Sequence, residues 1–322
     1  MSEREKAMPP TSATTTEPAG FAEFRRAERD LWDLYDLQPA ERLVNLDDER
    51  VVRIHDIGDG EPVLFVHGTG GSGVYFAPLV KELVPTFRCI LRDRPGWTLS
   101  SPIDYSAGHF GTIISRLQEK LLTALDLDRA HLVGGSIGNL FALRLALNHP
   151  DRVGNIVLHG GNPVEGVTPP MFLRLLRTPL GRIMIKIPQK PSMIRTQLAG
   201  LGHAKSLDLG IIPTEYIDMK VAESRHTNAM RHERRLVRAV IAGKGFHPGI
   251  TLSRTDLEAI HAPTLMVYGN DDPLGSEKVW STFMAGLPNG PHATVPDSGH
   301  LPWYDRPREV GALTRTHLQN AT

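Results

Sequence analysis

One cysteine stands in the 322 residues of this sequence. A lone thiol excludes an intrachain disulfide framework and fits a reducing compartment, so a cytoplasmic location is the expectation. Cys89 lies in the run FRCIL, where it reads as a small buried hydrophobe on a strand. Net charge is missing too, because 36 basic residues balance 36 acidic ones. No global field recruits nucleic acid, and no nucleic-acid partner is expected. No apolar run approaches the ~18 residues of a membrane span. Neither H-E-x-x-H nor a Cys/His cluster occurs, so no metal is expected. Residues 1–20 have no apolar h-region and mix acids with bases. They read as a disordered tail rather than a signal peptide.

What is present is a globular composition, 40% apolar and 22% charged. At ~150 residues per domain, the length suits one large unit or two modest ones with a sizeable core. Residues 21–38 have helical spacing, with Phe21, Phe24, Leu31, Trp32 and Tyr35 on one face. Two short strand-like runs follow, and then PVLFV at 62–66, continuously apolar as in a strand buried on both faces. Strands then alternate with helices through Val153–Leu158, and alternation resumes at Thr264–Gly269. That pattern predicts an α/β fold with a doubly wound, mostly parallel sheet. Between these stretches, residues 165–250 read as a mainly helical insertion, a lid over the site.

Residues 129–148 carry the strongest motif. A short buried strand (His131–Val133) runs into Gly134-Gly135-Ser136-Ile137-Gly138, and an apolar helix follows. A serine raised on a sharp strand-to-helix turn is strained, and glycines on either side relieve crowding. The free N–H groups of the helix then face the space beside the hydroxyl, where an oxyanion could form. The strand at 62–66 empties into HGTGGSG (67–73). This loop lacks the lysine of a phosphate loop and the G-x-G-x-x-G of a dinucleotide loop. It fits a loop whose backbone N–H groups face a nucleophile. Asp271-Asp272 stands after the strand Thr264–Gly269, and His300 after the following strand, Ala293–Val295. A serine needs an imidazole to take its proton and a carboxylate to orient that imidazole. The chain supplies them in the order Ser, Asp, His. Glu165, after the preceding strand, is the reserve carboxylate.

With HGTGG (67–71), DRPG (93–96), GGSIG (134–138), YGNDD (268–272) and SGHLPW (298–303), the sequence resembles the α/β-hydrolase family over roughly residues 40–320. The resemblance implies the α/β-hydrolase fold, a core at 21–164 and 251–322, and a helical cap at 165–250. It implies Ser136 as nucleophile, His300 as base and, from the family spacing, Asp272 rather than Asp271 as acid. The N–H groups of Ile137 and of Thr69 or Gly70 would form the oxyanion hole. Asn139 after the elbow and Trp97-Thr98 after DRPG depart from commoner members and are expected to reshape the pocket. Serine at 136 argues against epoxide- and haloalkane-cleaving relatives, which use aspartate there. Trp97, Met184 and Trp303 are the candidates for substrate contact.

The insertion holds 14 Lys/Arg against 6 Asp/Glu, and its apolar residues are long and flexible. An apolar pocket inside a basic outer face follows, with Arg231, Arg234 and Arg235 as candidates for anion attraction at the mouth. The expected function is hydrolysis of an ester, thioester or lactone of a small apolar substrate through an acyl-enzyme, without a cofactor. An alternative is a carbon–carbon bond hydrolase of the meta-cleavage type, whose glycine-rich loop HGTGGSG resembles, although the elbow differs. A non-catalytic receptor on the same fold is a further alternative. The expected partner is a small-molecule substrate, and a homodimer is among the assemblies this reading admits.

Overall fold

The computed structural model describes residues 17–105, 109–164, 167–288 and 290–320. Most of the expected N-terminal tail, and the reserve carboxylate Glu165, lie outside the described residues. The chain opens with α1 (Phe21–Leu34), then β1 (Ala40–Asn45), β2 (Val51–Ile57) and β3 (Glu61–Val66). Helix α2 (Ala77–Leu83), β4 (Phe87–Arg92), α3 (Phe110–Ala124), β5 (Ala130–Gly135), α4 (Ile137–Asn148) and β6 (Val153–His159) follow. Six helices come next: α5 (Met171–Arg177), α6 (Gly181–Met184), α7 (Pro191–Leu198), α8 (Ala204–Asp208), α9 (Thr214–His226) and α10 (Ala229–Val240). A small hairpin, β7 (Ile241–Ala242) and β8 (Gly245–Phe246), leads to α11 (Arg254–Glu258). The chain ends with β9 (Thr264–Gly269), α12 (Glu277–Met284), β10 (His292–Val295), α13 (Pro302–Asp305) and α14 (Pro307–Gln319).

Eight strands form one sheet in the order β1-β2-β4-β3-β5-β6-β9-β10. The β1–β2 and β2–β4 pairs are antiparallel and the other five are parallel. Its central strands are buried on both faces because successive side chains enter opposite cores. Leu64, Val66, Leu132, Ile156 and Met266 enter one cluster, and Val63, Phe65, Val133, Val157 and Val267 the other. From β3 the chain winds outward to β4, and from β5 it winds the other way, so strand order reverses between them. A crevice at the carboxyl ends of such strands is where open α/β sheets hold ligands. His67 follows β3 and Ser136 follows β5 at that point.

The helical block leaves the sheet after β6 and returns to it at β9, which pairs with β6. Leu176, Leu236, Val237 and Val240 of the block share one apolar cluster with the sheet, so block and sheet are packed as one core. Helix α1 keeps its helical spacing, burying Phe21, Phe24, Leu31 and Trp32, while Tyr35 falls just past its end. Its Glu28 meets the buried Arg53 of β2, which also holds Asp93 at 3.0 Å. Cys89 is fully buried, and burial pushes its thiol pKa up. Among the described residues no helix is long and apolar enough to cross a membrane.

Candidate active site

The turn after β5 holds Ser136 at φ 57°, ψ −125°, a conformation that a non-glycine residue adopts only under constraint. The constraint comes from both neighbouring strands. The Ser136 N–H donates to the His159 carbonyl at 3.0 Å, and a Cβ on Gly138 would lie 1.9 Å from the Val66 carbonyl oxygen. A Cβ on Gly134 would come within 2.8 Å of the Asn139 backbone nitrogen. The two glycines are therefore required by β3 and by Asn139, not by crowding against each other. Gly68 completes the seat, since its Cβ would meet Ser136 Cβ at 2.8 Å. Ile137 is the first residue of α4, so its N–H has no intrahelical acceptor and remains open.

Asn139 does not reshape a pocket. Its side chain is buried, donates to the His159 carbonyl at 3.0 Å and accepts from the His159 N–H at 3.2 Å. It clamps the end of β6 to the elbow. His159 is itself buried, edge-on to Trp303 and 3.3 Å from the Thr314 hydroxyl. Burial lowers its pKa to about 3. The unfolded chain takes up this proton below about 6.5, and the folded chain does so only near the lowered value. Stability from this residue is full above about 6.5 and falls with pH down to the lowered value, by about 1.4 kcal/mol per unit. His159→Gln should therefore flatten urea-unfolding stability between pH 6 and 4 by about that slope. An unchanged slope would show that this imidazole is not held neutral.

His300 Nδ1 lies 2.8 Å from Asp272 Oδ2, and both residues are buried. Asp272 also accepts the Gly161 N–H at 2.8 Å and the Leu274 N–H at 2.9 Å. Burial alone would raise its pKa, but the facing imidazole and these donors hold it below the ordinary value. A carboxylate only accepts, so Nδ1 carries the proton and Nε2 presents its lone pair. Asp271 is exposed on the same loop. Ser136 and His300 line one cavity, and the Ser136 hydroxyl bonds to no described side chain. Such contacts often tighten only around a bound substrate.

The helical block holds the imidazole loop from above. The Leu201 carbonyl accepts the His300 N–H at 2.9 Å. His203 Nε2 accepts the Leu301 N–H at 3.1 Å, while Nδ1 donates to Asp305 at 2.9 Å. Asp305 in turn accepts from the Ser298 hydroxyl at 3.0 Å and the Gly299 N–H at 2.9 Å. Sequence reading missed this second His–Asp pair, because its members lie on the insertion and on α13 with no local motif joining them.

The cavity encloses about 440 Å³ above Ser136. Thr69, Gly70, Ile137 and His300 form its floor, and Met171, Phe172, Leu198, Met230 and Val237 are among its apolar walls. None of the three expected substrate contacts lines it. Trp97 is buried beside His67, with its indole N–H on Glu223 at 2.9 Å. Trp303 is fully buried with its N–H on the Tyr75 carbonyl at 2.9 Å. Met184 packs at the edge of the apolar core. Each large side chain was drawn into packing between elements. Thr98, beside Trp97, bonds Asp93 rather than facing the cavity. Arg231 and Arg235 are exposed on the outer face of α10, and Arg234 donates to the Thr178 carbonyl at 3.2 Å. None of the three lines the cavity, so the basic excess there faces solvent. Among the described residues no cluster of His, Cys, Asp and Glu is placed to hold a metal ion.

A family model described as alpha/beta hydrolase fold matches residues 61–184, which contain both the glycine-rich loop and the elbow. The chain has the α/β-hydrolase fold. It is 26% identical over 278 residues to a 2-hydroxy-6-oxo-6-phenylhexa-2,4-dienoate hydrolase of Burkholderia cepacia, covering 84% of this chain and 91% of that protein. A 2-hydroxy-6-oxononadienedioate/2-hydroxy-6-oxononatrienedioate hydrolase of Pseudomonas putida is 27% identical over 83% of this chain and 91% of its own length. Among solved structures, a carboxylesterase from Bacillus subtilis superposes with a TM-score of 0.69 at 17% identity, over 94% of this chain and 99% of that one. A 2-hydroxy-6-oxo-6-phenylhexa-2,4-dienoate hydrolase from a Rhodococcus strain superposes with 0.73 at 15% identity, over 88% of this chain and 99% of the other. At such identities the two superpositions speak for the fold alone.

Proposed function

We propose that the chain is a serine hydrolase that cleaves a carbon–carbon bond beside a ketone, in a substrate of the oxo-dienoate class. One observation carries the choice of bond. The relatives named for that reaction align over more than four fifths of the chain. The ester reading, first in order of expectation, becomes the second.

On this reading His300 Nε2 takes the Ser136 proton as Oγ adds to the ketone carbon. The oxyanion is met by the N–H groups of Ile137 and Thr69, which donate to no other described residue. An ordinary carbanion is too basic to leave. Once the 2-enol has tautomerised to the ketone, with its proton moved to C5, that carbon's charge spreads through the C3–C4 double bond into the 2-carbonyl, so the fragment departs as a dienolate that the His300 imidazolium protonates. Water, deprotonated by His300, then frees the acyl group, so the net change is addition of one water across the broken bond. Asp272 keeps the imidazole in the required tautomer and stabilises its cation.

Ester hydrolysis keeps one observation in its favour. Lys220 is the only cationic side chain among the cavity's described lining, and it is already paired with Glu223. A dienoate carboxylate would lack a free cation there. The test is a panel of 2-hydroxy-6-oxo-6-phenylhexa-2,4-dienoate and straight-chain nitrophenyl esters. A kcat/KM at least ~10-fold higher on the dienoate is expected. The reverse order would select the ester reading, and turnover of neither would end both.

A further inference from the structure

The helical block brings into the cavity a carboxylate that the proposed reaction leaves unused. Glu233 of α10 is 1% exposed and pairs through Oε2 with the equally buried Arg94 at 2.8 Å. The same oxygen accepts the Gly70 N–H at 3.3 Å, so that N–H, expected to meet an oxyanion, is already engaged. The other carboxylate oxygen, Oε1, is buried without a hydrogen-bond partner among the described residues, and Glu233 lines the cavity. A buried carboxylate oxygen without a donor is costly, and an ion pair with Arg94 would need only Oε2. The Gly70 bond puts this carboxylate next to Thr69, whose N–H the proposed reaction assigns to the oxyanion.

We propose that Glu233 Oε1 is a recognition site for a hydroxyl that the substrate carries on a carbon next to, or one beyond, the attacked carbonyl, a position distinct from the 2-hydroxyl of the dienoate, which lies four carbons from its 6-oxo group. A neutral donor is favoured over an ammonium because Arg94 already neutralises the carboxylate, and Arg94 is fixed over the Trp97 ring at 4.9 Å. The position of the carbonyl rests on the hydrolase reading above; the demand of Oε1 for a donor does not.

The test uses ligands that report binding whether or not a bond is cleaved: 1-hydroxyoctan-2-one, its methyl ether and octan-2-one. Calorimetry on the wild-type chain should find the hydroxyketone at least about tenfold tighter than the other two, as a hydrogen bond to a charged acceptor provides. Glu233→Gln should bring the three within about threefold, because a neutral amide is a weaker acceptor and can turn its NH₂ toward the ligand. That variant leaves Arg94 charged and buried. The double variant Arg94→Met/Glu233→Leu removes both charges together and should give the same collapse with a cooperative melt. Equal binding of the hydroxyketone and its ether to the wild type would overturn the proposal. So would a tenfold preference surviving in either variant. A chain that shows the preference but turns over neither dienoate nor ester loses the proposed reaction and keeps the hydroxyl site.

Discussion

Ser136→Ala should lower kcat on the preferred substrate by at least ~10³-fold and leave the thermal melt nearly unchanged. The two halves of that expectation have separate causes. The elbow is imposed by neighbours: the His159 carbonyl, the contact of Gly138 with β3, and the Asn139 clamp. Alanine keeps the Cβ that packs on Gly68, and the lost hydroxyl had no described hydrogen-bond partner to abandon. Chemistry is lost because no other hydroxyl stands between His300 and the Ile137 N–H on the proposed path. Rate above the uncatalysed background would persist through the oxyanion donors and the cavity, which still hold the carbonyl. An organophosphonate probe should label the wild type at Ser136 and leave the variant unlabelled. Adduct at another residue, or a variant within tenfold of wild-type turnover, would mean that the nucleophile lies elsewhere.

The elbow was readable from sequence because its constraints are local and steric. A strand, a tight turn and a helix in one pentapeptide leave few residue types that fit. The sheet was readable for a similar reason, since β3 and β9 are continuous apolar runs that only a doubly covered strand tolerates. What escaped depends on pairs distant in the chain. Trp97 and Trp303 looked like pocket residues from the motifs beside them, yet Glu223 and the Tyr75 carbonyl take their N–H groups into the core. Glu233 stands among arginines in RHERRLVR, where it reads as one more solvated charge. Helical spacing turns it inward beside Val237 while Arg231 and Arg235 turn out. The β7–β8 hairpin had a sequence signal, Gly243-Lys244-Gly245, that was submerged in a helical expectation. The bond to be cleaved left one trace in the sequence, the HGTGGSG loop that resembles that of the meta-cleavage type and gave the carbon–carbon alternative. Ester and carbon–carbon hydrolysis make the same demand on serine, imidazole and carboxylate, and differ in what the cavity does with the leaving group.

The adjacent carboxylates give the sharpest internal control. Asp272→Asn should cost ~10³–10⁴-fold in kcat, and Asp271→Asn no more than about threefold. Asp271 is exposed, so an amide there only trades one solvated group for another. At 272 the amide has no comfortable orientation. With NH₂ in the place of Oδ2, it faces the Gly161 N–H and donates to His300 Nδ1, which forces the ring proton to Nε2. A protonated Nε2 cannot accept from Ser136, and the reaction stops at its first step. With NH₂ in the place of Oδ1, it faces the Leu274 N–H, donor against donor. The second orientation keeps the tautomer but loses the negative charge that stabilises the imidazolium, so neither rescues the rate. Because Asp272 is held below its ordinary carboxylate pKa, its stabilisation is present above about 3.9 and fades as pH falls through the lowered value. The variant should therefore also melt lower than wild type at pH 7, with the gap closing under strong acid, while Asp271→Asn shows no such gap. Equal and mild losses at both positions would place the carboxylate elsewhere. A large loss at 272 with an unchanged melt would mean that the buried pair serves chemistry alone.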